Sequence, residues 1–125
     1  MRLIIFAFTV TSLLLSCGEK VPAEIELFGR AQESEANQEF DKALQTYVTI
    51  IEKYPDSPNR YKAIFMKGYI HTEYLKDKNK ALEAFDQLLA EYPDCDLADD
   101  AKVMREIAEK GTDLMSVFDD SVKTE

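Results

Sequence analysis

An all-α solenoid of helical hairpins, about two and a half repeats long, is predicted by three observations on the sequence. First, the strings KYPDSP (Lys53 to Pro58) and EYPDCD (Glu91 to Asp96) are near copies 38 residues apart. The same shift carries Lys42-Ala43-Leu44 onto Lys80-Ala81-Leu82, Tyr47 onto Phe85, Ile50-Ile51 onto Leu88-Leu89 and Ala63 onto Ala101. Second, the apolar residues inside each unit fall at helical spacing. Third, a proline closes both units at matching places. A unit of this length cannot cover its own apolar face, so such units stack on one another.

The chain opens on a segment of different character. Arg2 precedes an apolar stretch from Leu3 to Val10, and a second one ends at Leu13-Leu14-Leu15-Ser16-Cys17. A charged start followed by an apolar run too short to span a bilayer with tilt to spare is the pattern of a secretory leader. The LLSC string resembles the bacterial lipobox, which implies acylation of the Cys17 sulfur and cleavage of residues 1–16. Acyl chains would then hold the protein at a bilayer, each buried methylene contributing about 0.8 kcal/mol. Gly18 follows the cysteine, where an aspartate would favour inner-membrane retention under the enteric sorting rule, so the expected location is the outer membrane, facing the periplasm. Residues 17–22 serve as a tether.

The helices follow in order. Phe40, Leu44, Tyr47, Ile51 and Tyr54 form one stripe, and Ala81, Leu82, Phe85, Leu88, Leu89 and Tyr92 another, marking the second helix of each hairpin. Pro55 and Pro93 stop them, because proline has no N–H for the preceding turn and disfavours helix in the residue before it. Ser57-Pro58 is read as a capped restart. Asn59 to Leu75 is the first helix of the second hairpin, with Lys76 to Asn79 as its turn. The shift of 38 puts the first helix of the first hairpin at Glu24 to Asn37 and a closing helix at Leu97 to Lys110, ended by Gly111. The repeat domain is thus 23–111. The tail, 112–125, holds one apolar cluster, Leu114, Met115, Val117 and Phe118, and an acidic end expected to be disordered.

Cleavage after residue 16 would leave 109 of the 125 residues, enough for one domain with its own core. Of the 15 basic side chains only Arg2 lies in the leader, so 14 remain against 24 acidic ones, a formal balance of −10. Phosphate binding needs clustered Lys and Arg, which argues against nucleic acid and against a body that hugs anionic lipid. With Cys17 acylated, Cys95 stands alone and no intrachain disulfide can form.

The repeat units resemble tetratricopeptide repeats in the long-period form found in periplasmic lipoproteins. Ala43, Tyr47 and Pro55 match the small, aromatic and proline positions of that family in the first unit, as do Ala81, Phe85 and Pro93 in the second. Gly68 stands at the small position of the second unit's first helix, where the first unit has Arg30. The YPDS link is similar to that of the BamD-like family of outer-membrane-assembly lipoproteins and of the Tol-Pal coordinator family, both longer scaffolds. The resemblance implies a concave binding face made by the first helices. Carried over residue by residue, its groove positions are Lys62, Phe65, Tyr69, Thr72 and Glu73 in the second unit and Leu27, Ala31 and Ser34 in the first. Phe65 can equally be read as a core residue pressing on the neighbouring helix, and for Tyr69 that core reading is the stronger one.

A catalytic reading finds little. His71 is the single histidine, with no cysteine or carboxylate at dyad or zinc spacing, and is read as a solvent-facing helix residue. Asp94, Asp96, Asp99 and Asp100 lack the glycine bend and final glutamate of a calcium loop and are read as complementing a helix N-terminus. Cys95, in an acidic turn, is read as a passive turn residue. The expectation is therefore a non-enzyme without metal or cofactor. Its role would be a membrane-anchored scaffold that binds envelope proteins or peptides, with membrane contact through acylated Cys17. Two alternatives stay open: a self-associating structural lipoprotein whose end faces are apolar, and an accessory subunit of an envelope enzyme.

Overall fold

A computed structural model describes residues 23–111 of the chain. The expected leader, acylated Cys17, tether and disordered tail fall outside the described residues. Five helices run in sequence: α1 Glu24–Ala36, α2 Phe40–Lys53, α3 Arg60–Glu73, α4 Lys78–Glu91 and α5 Ala98–Lys110. Each packs on the next, and α5 also touches α3. This is the all-α hairpin solenoid of two and a half repeats that the period predicts: α1 with α2, α3 with α4, then α5.

The helix ends have local causes. Before Pro55 and Pro93, Tyr54 and Tyr92 leave the helix while their N–H groups still donate to Ile50 and Leu88. Gly111 closes α5 in the left-handed region, at φ 68°, a conformation glycine adopts without a Cβ penalty. Asp77 caps α4 by accepting from the Lys80 N–H. Ser57 does not cap α3. The helix begins three residues later, and the Ser57 hydroxyl instead donates to Glu24 while accepting from the Asn59 N–H, tying the link between hairpins to the start of α1.

One residue of turn length governs the register. The first hairpin turns in three residues, Asn37 to Glu39, and the second in four, Tyr74 to Asp77. The second helices therefore correspond at a shift of 38, but α1 and α3 correspond at 37. At that shift Leu27 pairs with Ile64, Ala31 with Gly68 and Ser34 with His71, and all six are buried. These are the positions at which the first helix of a hairpin rests on the second. The small residue of the first unit is thus Ala31. Arg30 points outward and pairs with Glu26 one turn away.

Two buried clusters follow. Leu27, Ala31, Ala43, Tyr47 and Ile50 join Ala63 and Ile70 from α3. Ile64, Ala81, Phe85 and Leu88 join Ala101, Met104, Ile107 and Ala108 from α5. Helix α3 contributes to both, so it is buried on two sides. His71 is consequently a core residue, 2% exposed, and not the solvent-facing one its isolation in sequence suggests.

Among the described residues, the outer faces of α1 and α5 carry charge. The α3 residues that face the first hairpin, Ala63 and Ile70, have Glu26 and Glu33 as their exposed α1 counterparts. The α3 residues that hold α4, namely Ile64, Gly68 and His71, have Lys102, Glu106 and Glu109 as their exposed counterparts on α5. A carboxylate or ammonium there costs several kcal/mol to bury unpaired, so neither face is built to receive another helix of the same kind. Polar outer faces of this sort are what terminate a repeat stack. The expectation of apolar end faces is not met by these helices: among the described residues, Ile25 and Val103 are the large apolar side chains exposed on α1 and α5.

Candidate functional site

Helices α1 and α3 touch little, and the space between them is a cleft of about 470 Å³. Phe28, Gln32 and Glu35 form one wall, Lys62, Phe65 and Met66 the other, with Tyr47 as floor and Asp96 and Leu97 at one end. An aromatic pair recurs under each wall. Phe28 meets Tyr47 edge-on with ring centroids 6.1 Å apart, and Phe65 meets Phe85 in the same manner at 5.8 Å. Edge contacts of this kind favour one orientation of the ring on each wall.

Polar groups punctuate the cleft. The Tyr47 hydroxyl donates to Glu35 at 2.5 Å, and burial, reinforced by that carboxylate, raises the phenol well above its usual pKa. At the open end Tyr61 donates to Asp96, which with burial pushes its pKa up to about 12. Lys62 lies over the Tyr61 ring, 5.7 Å from its centroid.

The groove residues expected from sequence divide. Lys62 and Phe65 line the cleft, Phe65 also packing inward on Phe85. Tyr69 and Glu73 are half-buried further along the same face of α3, and Tyr69 packs on the second cluster as well, so these rings are both wall and core. Leu27, Ala31, Ser34 and Thr72 are buried, and none of them lines the cleft. The reason is the register: a slip of one residue turns a helix by about 100°. The α1 wall is made by Phe28, Gln32 and Glu35, each one position beyond the expected residue. The shift of 37, seen in the burial of Ala31 beside Gly68, is the signal that finds them.

A second cavity, about 250 Å³, lies at the far end of α3, bounded by His71, Thr72, Lys76, Lys78, Ile107 and Gly111. The Nδ1 atom of His71 is buried without a hydrogen-bond partner among the described residues. Burial lowers the His71 pKa; Asp77 and Glu83 act against this and Lys80 and Lys67 with it. The folded protein therefore resists the proton that an unfolded histidine takes up near pH 6.5. Stability is full above that pH and falls as the pH drops below it. In thermal unfolding between pH 7.5 and 5.5, the wild-type midpoint is expected to fall more than that of His71→Asn. Equal slopes would show that His71 is charged in the fold.

Cys95 is half-buried against the second cluster. Asp99 and Asp100 lie in the first turn of α5, as the dipole reading of the acidic run expects, and Asp99 pairs with Lys102. Among the described residues no three His, Cys, Asp or Glu side chains are gathered to hold a metal, and no helix is long and apolar enough to cross a membrane.

Comparison with curated proteins and with solved structures finds no match. A family model, that of the tetratricopeptide repeat, matches residues 27–57 and 62–94, one match for each hairpin and together just over half of the chain. With two repeat matches laid over two stacked hairpins and a capping helix, the chain belongs to the tetratricopeptide repeat family.

Proposed function

We propose that this protein is a lipid-anchored scaffold of the bacterial cell envelope, tethered through Cys17 to the periplasmic face of an outer membrane and binding partner proteins in the α1–α3 cleft. The repeat family supports a protein-interaction module in general. The observation that carries the specific reading is the cleft itself, which sets the rings of Phe28 and Phe65 on its two walls beside the polar groups of Gln32, Glu35, Lys62 and Asp96, a composition that gives affinity through buried area and orientation through charge. The charged outer faces of α1 and α5 favour this over self-stacking. The leader and the LLSC string support the anchor and the compartment.

The test places a photo-crosslinking residue at Gln32, inside the cleft, or at Glu33, on the outer face, of the protein in intact cells. Mass spectrometry then reads partners and N-terminus together. Envelope proteins captured from position 32 and not from 33, on a chain starting at a lipid-modified Cys17, are the expected result. Capture of identical copies alone, or an unmodified start at Met1, would overturn it.

A further inference from the structure

The second cavity opens where the chain leaves the described fold. It shares no lining residue with the cleft, and Gly111 is part of its wall. His71, Thr72, Ile107 and Ala108 form its buried lining, each at most 7% exposed. Lys76 and Lys78, both exposed, complete it. Among the described residues no carboxylate lines this cavity, and neither lysine is in an ion pair, although nine ion pairs form elsewhere on them. Lys78 Nζ donates to the carbonyl of Glu109 at 2.6 Å, which holds its ammonium beside the end of α5. Nδ1 of His71 is buried without a partner among the described residues, and native structures retain few such atoms without a reason. The volume of about 250 Å³ exceeds the roughly 150 Å³ of an apolar cavity that takes up a benzene ring, so a large apolar side chain fits.

The sequence just beyond Gly111 has the complementary pattern. Asp113 and Asp119 flank the apolar residues Leu114, Met115, Val117 and Phe118. An apolar cluster bordered by carboxylates thus follows directly on a cavity with an apolar lining bordered by ammonium groups. Gly111, at φ 68°, turns the chain out of the line of α5. Leu114 is three residues further on, within about 10 Å of extended chain. So short an attachment makes docking intramolecular, and the segment outcompetes a free one of the same composition. Exposed ion pairs add little, so burial of the apolar cluster supplies the affinity and the lysines supply the orientation. The outer face of α5, with Lys102, Glu106 and Glu109 exposed, offers no comparable apolar lining.

We infer that the segment Asp113 to Asp119 of this same chain folds back onto the second cavity, its apolar side chains against Ile107 and Ala108 and its carboxylates on Lys76 and Lys78. Docked there, it fastens the end of α5 to the turn between α3 and α4. The α1–α3 cleft stays open, so the inference does not depend on what binds in the cleft.

The test puts the photo-crosslinking residue p-benzoylphenylalanine in place of Phe118 in the full-length protein in detergent. After irradiation, fragment mass spectrometry locates the attachment. Attachment to Thr72, Lys76, Ile107 or Ala108 of the same chain is expected. Reversing the two lysine charges in K76E/K78E is expected to lower that yield about fivefold. Adding D113K/D119K to K76E/K78E is expected to restore it, a recovery that a merely misfolded variant would not show. A yield indifferent to K76E/K78E, or one that the added D113K/D119K fails to restore, would overturn the inference. So would attachment chiefly to the outer face of α5 or to the cleft residues Phe28 and Phe65. A product of twice the monomer mass would show that the segment docks on a second copy, which overturns it as well.

Discussion

Replacing Phe85 with alanine is expected to destabilise the protein by about 3–5 kcal/mol, a large share of the roughly 5–15 kcal/mol that holds a domain together. The ring is fully buried among Ile64, Ala81, Leu88 and Met104, and it carries the edge contact with Phe65 on one wall of the cleft. It also lies against Gly68, where an added Cβ would come within 2.7 Å of the ring carbons Cε1 and Cζ. Gly68→Ala would gain about 1 kcal/mol of helix propensity. Overpacking opposes this at about 1–3 kcal/mol, so a net loss is expected. Combining Gly68→Ala with Phe85→Leu should cost less than the sum of the two, because the shorter side chain makes room for the methyl group. Urea unfolding followed by helical circular dichroism reads all four variants against wild type. A Gly68→Ala variant more stable than wild type would show that the ring moves freely, and the account of this close approach would fail.

How much of this was legible beforehand differs from helix to helix. Helices α2 and α4 have one buried side each, so their stripes show the full helical period, and Pro55 and Pro93 mark their ends. Helix α3 is pressed from both sides, by Ala63 and Ile70 on the first hairpin and by Ile64, Gly68 and His71 on α4. Apolar residues spread around such a helix weaken its periodic signal, and a polar residue among them, His71, reads as exposed. The register of α1 was hidden for another reason. Turn residues carry little packing information, so the extra residue between Glu73 and Asp77 leaves no mark in the repeated strings, which all lie in the second helices and the links. Positions defined by those strings, Tyr47, Pro55, Phe85 and Pro93, are where the period puts them. Those inferred across the turn, Leu27, Ala31 and Ser34, are one residue out.

Arg60 is expected to be the most consequential charged residue of the fold, with Arg60→Ala costing about 2–3 kcal/mol. Its side chain is 14% exposed and spans the junction between hairpins. Nε donates to the carbonyl of Ile51 at 2.9 Å, and Nη1 donates to the Glu91 carboxylate and to the Tyr92 hydroxyl. The Ile51 carbonyl is in the last turn of α2, where the helix offers it no N–H, so the guanidinium supplies the missing donor. The pair with Glu91 is a smaller part: that carboxylate is 39% exposed, and ion pairs of this kind contribute about 0–1 kcal/mol. Glu91→Gln should therefore be nearly neutral at pH 7, while Arg60→Ala is not. Burial alone would raise the Glu91 pKa, but bonds from Gln87 and Arg60 outweigh it and hold the group below the ordinary carboxylate value. Its contribution is thus present above the unfolded pKa and lost as acid protonates the folded carboxylate. Arg60→Lys keeps the charge but cannot reach a carbonyl, a carboxylate and a hydroxyl from one compact ammonium, so it should recover less than half of the loss. Full recovery by lysine would mean that charge alone joins the hairpins, and the forked geometry would have no role.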